Sequence, residues 1–249
     1  MKAIVLAAGY ATRLYPLTLS KAKALLPLAG KPILNYIVDE LDTLPKLDEI
    51  FIVSNHRFAN DFVTWSKSQT YQAEITIVDD GTSSDETKLG AIGDIELVIK
   101  EHCLDADLLV IAGDTYFTFR LLNFYNFFEQ YRRDCFLVKE INDIKQLQRM
   151  GVVELDPSHK VIGFEEKPNS PKSNKASFAG YIYLKDTLPL FKHYLSLGLN
   201  PDAPGNFPAW LHTIKDVYAY AFEGDCFDIG TPDSYNEVNE LVKKTLAKE

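Results

Sequence analysis

The sequence predicts an α/β fold with a mostly parallel sheet and helices on both faces. Three observations lead there. Short apolar runs recur at 2–8, 50–54, 74–79 and 107–112, rich in Ile, Val and Leu and nearly continuous, as strands buried on both faces require. Helical patterns separate them, and strand–helix alternation implies right-handed crossovers. The 249 residues, 46% of them apolar, suffice for one sizeable core, so a single domain over 1–249 is expected, with a change of pattern near residue 140.

Taken in order, Lys2 to Ala8 is too short for a signal-peptide core with a cleavage site and reads as the first strand. Pro32 suits the first turn of a helix whose face carries Ile33, Tyr36, Ile37 and Leu41. Further helices are expected over 87–101 and roughly 120–132. Beyond residue 140, the runs 152–155 and 161–164 flank Asp156-Pro157-Ser158-His159 and predict a hairpin. A strand at 177–184, helices near 187–197 and 207–215, and a strand at 217–222 follow. An amphipathic helix from about 232 closes the chain, with Tyr235, Val238, Leu241 and Val242 on one face.

Composition excludes several classes. The net charge of −9 with no basic run argues against nucleic acid, while small anionic ligands remain open to a few local cations. Cys103, Cys135 and Cys226 lie far apart with no CxxC pair, which suits reduced thiols in a cytoplasmic protein. No apolar run approaches the roughly 18 residues of a membrane span. The five histidines show no zinc spacing, and His56 reads as a turn residue.

Four segments can carry chemistry. The first strand ends in Ala8-Gly9-Tyr10-Ala11-Thr12-Arg13-Leu14, a small-residue loop that lets backbone N–H groups approach phosphate, with Arg13 offering a planar fork of donors and Lys23 following. Its spacing is neither a P-loop nor a GxGxxG turn. The apolar strand ending in Gly113-Asp114 delivers one carboxylate suited to magnesium, or to capping a turn. Asp228, between Phe227 and Ile229, is not needed as a helix cap because Thr231 serves, so it calls for a partner, a metal or a hydrogen bond. Glu165-Glu166-Lys167-Pro168 ends a strand and places Lys167 to neutralise a phosphate, or on an ordinary charged surface.

In this order the segments resemble the sugar-nucleotide pyrophosphorylase family, notably glucose-1-phosphate thymidylyltransferases and uridylyltransferases. The likeness spans Leu6 to Leu14, Lys23 to Leu34, Gly90, Gly113-Asp114, Gly151 to Glu154, Glu165 to Pro168, Ala179 to Tyr183 and Asp228 to Pro232. It implies a Rossmann-like nucleotidyltransferase fold, with 1–140 binding nucleotide and 141–249 supplying the sugar-phosphate half and C-terminal helix. It implies condensation of a nucleoside triphosphate (dTTP or UTP) with a sugar 1-phosphate (glucose 1-phosphate) to a nucleoside diphosphate sugar and pyrophosphate. By the same resemblance Leu6, Ala7, Ala8, Gly9 and Arg13, with Lys23, cradle the triphosphate, and Leu89 and Gly90 flank the base. Asp114, also a nucleotide contact, and Asp228 hold Mg2+. Gly151, Glu166 and Gly180 face the sugar, and Lys167 binds its phosphate. Arg13, Lys23 and Lys167 form the implied catalytic set, and a homo-oligomer is expected.

The chain departs from the family pattern in places. Ala11 stands where glycine is common, which makes a positive φ costly. Residues 79–86 lack the glutamines expected of a thymidylyl- or uridylyltransferase, leaving the base open. A CTP-dependent cytidylyltransferase of phosphocholine would need an aromatic cage. Tyr10, Phe178, Tyr181 and Trp210 are available, but the alternation over 178–183 reads as strand packing. A nonenzymatic nucleotide sensor on the same fold would not need both aspartates and the lysine. The DxD pattern at Asp105-Ala106-Asp107 precedes its strand, whereas a glycosyltransferase metal motif should follow one.

Overall fold

The computed structural model describes residues 1–247. In chain order the strands and helices begin with β1 (Lys2–Leu6), β2 (Pro27–Leu28), β3 (Lys31–Pro32), α1 (Ile33–Leu41), β4 (Glu49–Ser54), α2 (Ala59–Lys67) and β5 (Glu74–Asp79). There follow α3 (Ala91–Glu101), β6 (Leu108–Ala112), β7 (Thr115–Phe117), α4 (Leu121–Tyr131), β8 (Asp134–Glu140) and α5 (Ile144–Leu147). The remainder is β9 (Gly151–Leu155), β10 (Val161–Glu166), β11 (Lys175–Tyr183), α6 (Pro189–Ser196), α7 (Asn206–Leu211), β12 (Val217–Ala221), β13 (Cys226–Asp228) and α8 (Pro232–Leu246). The expected α/β fold, a mixed sheet with helices, is what the chain adopts. Among the described residues no helix is long and apolar enough to cross a membrane.

Two compact units are built from interleaved segments. An N-terminal unit holds Lys2–Lys88, Ala112–Leu121 and the chain from Gly224 onward; a central unit holds Leu89–Ile111 and Leu122–Glu223. Residues 89–111 and 122–140 therefore cluster with the later chain.

In the N-terminal unit β1, β4 and β5 run parallel, Leu6 opposite Val53 and Val53 opposite Val78. Ala3, Ile4, Val5 and the four residues from Ile50 to Val53 are buried on both sheet faces, which is why those runs read as continuously apolar. Pro32 lies one position outside α1 rather than within it, and the helix buries Ile33, Leu34, Ile37, Val38 and Leu41. Two features had no periodic signal: the β7–β13 ribbon, only three residues a strand, and the short helix α2, which buries just Phe62 and Trp65.

In the central unit β8 lies antiparallel to β11 and parallel to β12. The predicted hairpin is β9–β10, antiparallel, with Gly151 opposite Glu166. Strand β8 escaped the sequence reading because its apolar core, Cys135 to Val138, is short and closely follows a helix. Helix α3 starts at Ala91, not 87, because Gly90 turns the chain with φ of 78°. The N–H groups of Ala91 and Ile92 bond to the carbonyls of Asp202 and Pro201 at 3.3 and 3.0 Å. Helix α7 stops at Leu211 and continues as turns.

A buried ion pair fixes this unit internally. Asp134 at the start of β8 is fully buried and accepts from Leu184 N at 2.7 Å and Thr187 Oγ1 at 2.8 Å, with Lys215 Nζ 2.9 Å away. Burial raises its pKa, and Lys215 opposes that rise. Lys215→Met removes the ammonium and raises the folded-state pKa further above the unfolded value. A carboxyl so shifted favours folding at low pH, and that contribution is lost as pH rises through the folded pKa. Denaturant unfolding is thus expected to show a loss of about 3 kcal/mol near pH 7.5 and a clearly smaller one near pH 4; an equal loss at both would contradict the account.

Candidate active site

The loop after β1 is pinned from both sides. Ala7 N–H donates to Val53 O at 2.9 Å, and the fully buried Asn55 donates from its side-chain amide to Ala8 O at 2.8 Å. The Tyr10 and Thr82 hydroxyls share a hydrogen bond of 2.9 Å. Asp80 in turn accepts from Thr82 N at 2.7 Å and from its hydroxyl at 2.9 Å. Between these anchors Gly9 faces open space, with nothing within 4 Å of where a Cβ would lie. Ala11 adopts φ 49° and ψ 41°, the left-handed conformation its neighbours demand. Its carbonyl accepts from Leu14 N at 3.0 Å and from the Thr18 hydroxyl at 2.8 Å. Those two bonds offset a conformational cost of about 1 kcal/mol for a residue with a Cβ. The following turn, Thr12–Leu14, carries Arg13.

Asp114 reaches this loop because Gly113 has no side chain. Gly113 N–H donates to Leu6 O at 2.8 Å, and a Cβ there would lie 2.9 Å from the same oxygen. Asp228 arrives on the β7–β13 ribbon, where it pairs with Thr115, and Ile229 N–H bonds to Asp114 O at 3.2 Å. Lys23 starts a short turn, Lys23–Leu25, and its side chain is only 12% exposed. Its Nζ lies 2.7 Å from Asp114 Oδ2 and 3.8 Å from Asp228 Oδ1. A methyl at Gly230 would be 3.4 Å from both Arg13 Nη2 and Asp228 Oδ2, which places the guanidinium beside the same carboxylate. Arg13, Lys23, Asp114 and Asp228 thus form one cluster within the N-terminal unit.

Phe227 and Ile229 do not bury Asp228, whose side chain is 75% exposed. Its pKa is nevertheless raised, first by lost solvation among neighbouring groups and then by the charge of Asp114, with Lys23 and Arg13 opposing. Thr231 caps α8: its hydroxyl accepts from Ser234 N at 3.2 Å, and Ser234 Oγ accepts from Thr231 N at 3.0 Å. Asp228 is therefore free of capping duty.

The remaining expected residues lie in the central unit. A Cβ on Gly151 would meet the Phe164 ring at 2.8 Å and Glu166 Oε2 at 3.0 Å, so glycine there keeps the Glu166 carboxylate close to β9. Lys167 has φ of 49°; its N–H donates to Met150 O at 3.0 Å, and its exposed Nζ lies 3.7 Å from Glu166 Oε1. At Gly180 the Cβ direction is filled by Leu137, whose Cδ1 would be 2.4 Å away, so packing inside the sheet accounts for this glycine. Gly90 lies against Pro201 and Asp202, with a Cβ position 2.6 Å from Pro201 O, and Leu89 beside it is partly exposed.

Several contributors carried no sequence signal. Asn55 looks like a turn residue until its bond to Ala8 is seen. The stretch 200–205, Asn-Pro-Asp-Ala-Pro-Gly, reads only as a loop, yet it touches both Gly90 and, through Gly205, the surroundings of Glu166. The DxD pair is structural: Asp107 binds Arg132 at 2.9 Å and Asp105 binds Lys185 at 2.7 Å. His56 sits exposed with Nδ1 2.6 Å from Asp79 Oδ2.

Comparison with known proteins agrees with this fold. A Sulfolobus acidocaldarius protein named "Putative mannose-1-phosphate guanyltransferase" is 31% identical over 240 residues, 96% of this chain and 62% of its own length. The glucose-1-phosphate thymidylyltransferase of Streptomyces griseus is 26% identical over 252 residues, 98% of this chain and 67% of that one. This chain is thus shorter than both. The apo structure of a UDP-glucose pyrophosphorylase shares the fold, with a TM-score of 0.84 over 98% of each chain at 19% identity. Residues 2–245, almost the whole chain, match the nucleotidyl transferase family, and the chain belongs to it.

Proposed function

We propose that this protein joins a nucleoside triphosphate to a sugar 1-phosphate and releases pyrophosphate. The observation that carries the reading is the single ammonium of Lys23 held between Asp114 and Asp228 beside Arg13. Two carboxylates that can hold a cation, with Arg13 and Lys23 beside them near a small-residue loop, suit a polyphosphate bound together with a divalent ion. The first substrates to test are dTTP or UTP with glucose 1-phosphate, as the resemblance implies. The name of the Sulfolobus relative adds GTP and mannose 1-phosphate.

The donor set also fits a divalent cation. Asp114 and Asp228 already converge on one positive charge. Among the described residues no group of three or more His, Cys, Asp and Glu could hold a metal. A two-carboxylate site that leaves other positions to phosphate and water is characteristic of Mg2+. Asp114 and Asp228 would hold it, and when bound it would neutralise phosphate charge.

The protein's own groups account for the rest. A sugar phosphate has a second pKa near 6, so at neutral pH it is mainly a dianion and needs no general base. The difficulty is repulsion between two anions. Lys167 counters it by holding the sugar phosphate, with Glu166 fixing the sugar. Backbone N–H groups at Ala8 and Gly9 approach the triphosphate. Arg13 and Lys23 stabilise charge that develops on departing pyrophosphate.

A matrix of the common triphosphates against several sugar 1-phosphates and phosphocholine, with magnesium and pyrophosphate as readout, tests the reading directly. Turnover with a sugar 1-phosphate is expected; turnover with phosphocholine alone, or nucleotide binding without turnover, would reject it. Asp114→Ala should abolish turnover at any magnesium concentration, and full activity at saturating magnesium would contradict its assignment. Lys167→Ala should raise KM for the sugar phosphate about 10-fold or more while leaving that for the triphosphate nearly unchanged; equal effects on both would remove Lys167 from the sugar-phosphate site.

A further inference from the structure

Tyr181 lies in the middle of β11, where alternating aromatics pack the central unit, and its ring is 3% exposed. The ring stacks 6.0 Å from that of Tyr183 and lies tilted 6.4 Å from that of Phe136, as a core residue should. Its hydroxyl does not behave like a core group. It makes no hydrogen bond to any described residue. Among the described residues it is not one of the side-chain atoms sealed from solvent without a partner, so the ring is buried while the phenol oxygen reaches solvent and can donate to a ligand.

Its hydroxyl lies near Gly205 and the carboxylate of Glu166. The bare face of Gly205 looks onto both the phenol and Glu166: a Cβ there would lie 3.7 Å from the Tyr181 hydroxyl and 3.8 Å from Glu166 Oε2. The missing side chain at Gly151 brings that same carboxylate oxygen in from the other side. Gly205 has ordinary right-handed backbone, φ −66° and ψ −18°, so its conformation does not require glycine. The space does. Burial, and after it the charge of Glu166, raise the Tyr181 pKa, so the phenol stays protonated and acts as a donor beside an acceptor.

From this geometry we infer that Tyr181 and Glu166 together read one hydroxyl group of the sugar, in the space left by Gly205. The sugar oxygen accepts from the phenol, and its own proton is donated to the carboxylate. Such a pair accepts a hydroxyl and rejects a hydrogen or a methyl at the same position, because loss of the hydroxyl leaves two polar groups unmet. The inference rests on the proposed sugar 1-phosphate reaction and deepens it: the substrate must be a polyol phosphate with a free hydroxyl at that position, which phosphocholine lacks.

The test compares glucose 1-phosphate with its 2-, 3-, 4- and 6-deoxy analogues, using UTP and dTTP. For the wild type, one analogue should lose about 10- to 100-fold in kcat/KM. Tyr181→Phe should lower kcat/KM for glucose 1-phosphate by about 10-fold and shrink that one discrimination towards unity, with KM for the triphosphate unmoved. Gly205→Ala, which the backbone tolerates, should raise KM for glucose 1-phosphate and leave the unfolding midpoint intact. Tyr181→Phe that keeps the full discrimination overturns the inference, as does a variant that weakens nucleotide and sugar alike. A wild type that turns over phosphocholine but no sugar 1-phosphate overturns the underlying reaction as well, so the two failures look different.

Discussion

One ammonium group organises the N-terminal unit's chemistry. Asp114 and Asp228 converge on one side chain, and the pKa of Asp228 rises, first through lost solvation and then because of Asp114. Two like charges so placed need a cation. Lys23 supplies it at 2.7 and 3.8 Å, from a side chain largely withdrawn from solvent. Around this arrangement the fold makes specific concessions. Gly113 gives up its side chain so that β6 can end against Leu6, and Ala11 accepts a strained backbone so that Arg13 can turn back towards Asp228.

The anchors that hold the loop after β1 are neutral, and that matters for its task. Asn55, Tyr10 and Thr82 tie it by hydrogen bonds with no formal charge on the donor. A loop fixed by cations would spend on itself the very groups a phosphate needs. Fixing it with an amide and two hydroxyls leaves Arg13 and Lys23 to the carboxylates now, and to anionic substrate in the proposed reaction. Preorganised donors of this kind cost no reorganisation when charge appears.

How much of this was legible in the sequence depended on whether the determinant was local. The parallel strands announced themselves, since burial on both faces leaves an uninterrupted apolar run, Ile50-Phe51-Ile52-Val53. The β9–β10 hairpin followed from its turn residues. Strand β8 and the β7–β13 ribbon did not show, because a four-residue apolar core and three-residue strands have no period to detect. The cluster of Arg13, Lys23, Asp114 and Asp228 was suggested only by resemblance; no spacing rule joins residues so distant in the chain. Tyr181 misled in an instructive way. Alternation over 178–183 marked its ring as core, which it is, but a pattern of apolar residues says nothing about where a phenol's hydroxyl ends.

That distinction separates two kinds of recognition in the proposed reaction. Charges such as Arg13, Lys23 and Lys167 attract any phosphate, so they supply affinity and rate but discriminate poorly among substrates sharing that group. Neutral or paired polar groups in a dry setting behave differently, because a missing partner leaves them unmet at a cost of about 1–3 kcal/mol each. The Tyr181–Glu166 pair, a phenol on a buried ring beside a part-exposed carboxylate, is proposed to discriminate in this way, by donating to and accepting from one hydroxyl. In the proposed reaction the identity of the sugar is decided by hydrogen bonds to its hydroxyl groups rather than by attraction to its phosphate. Of the residues proposed to determine it, family resemblance supplied Glu166 but passed over Tyr181, and also Gly205, whose backbone does not need to be glycine.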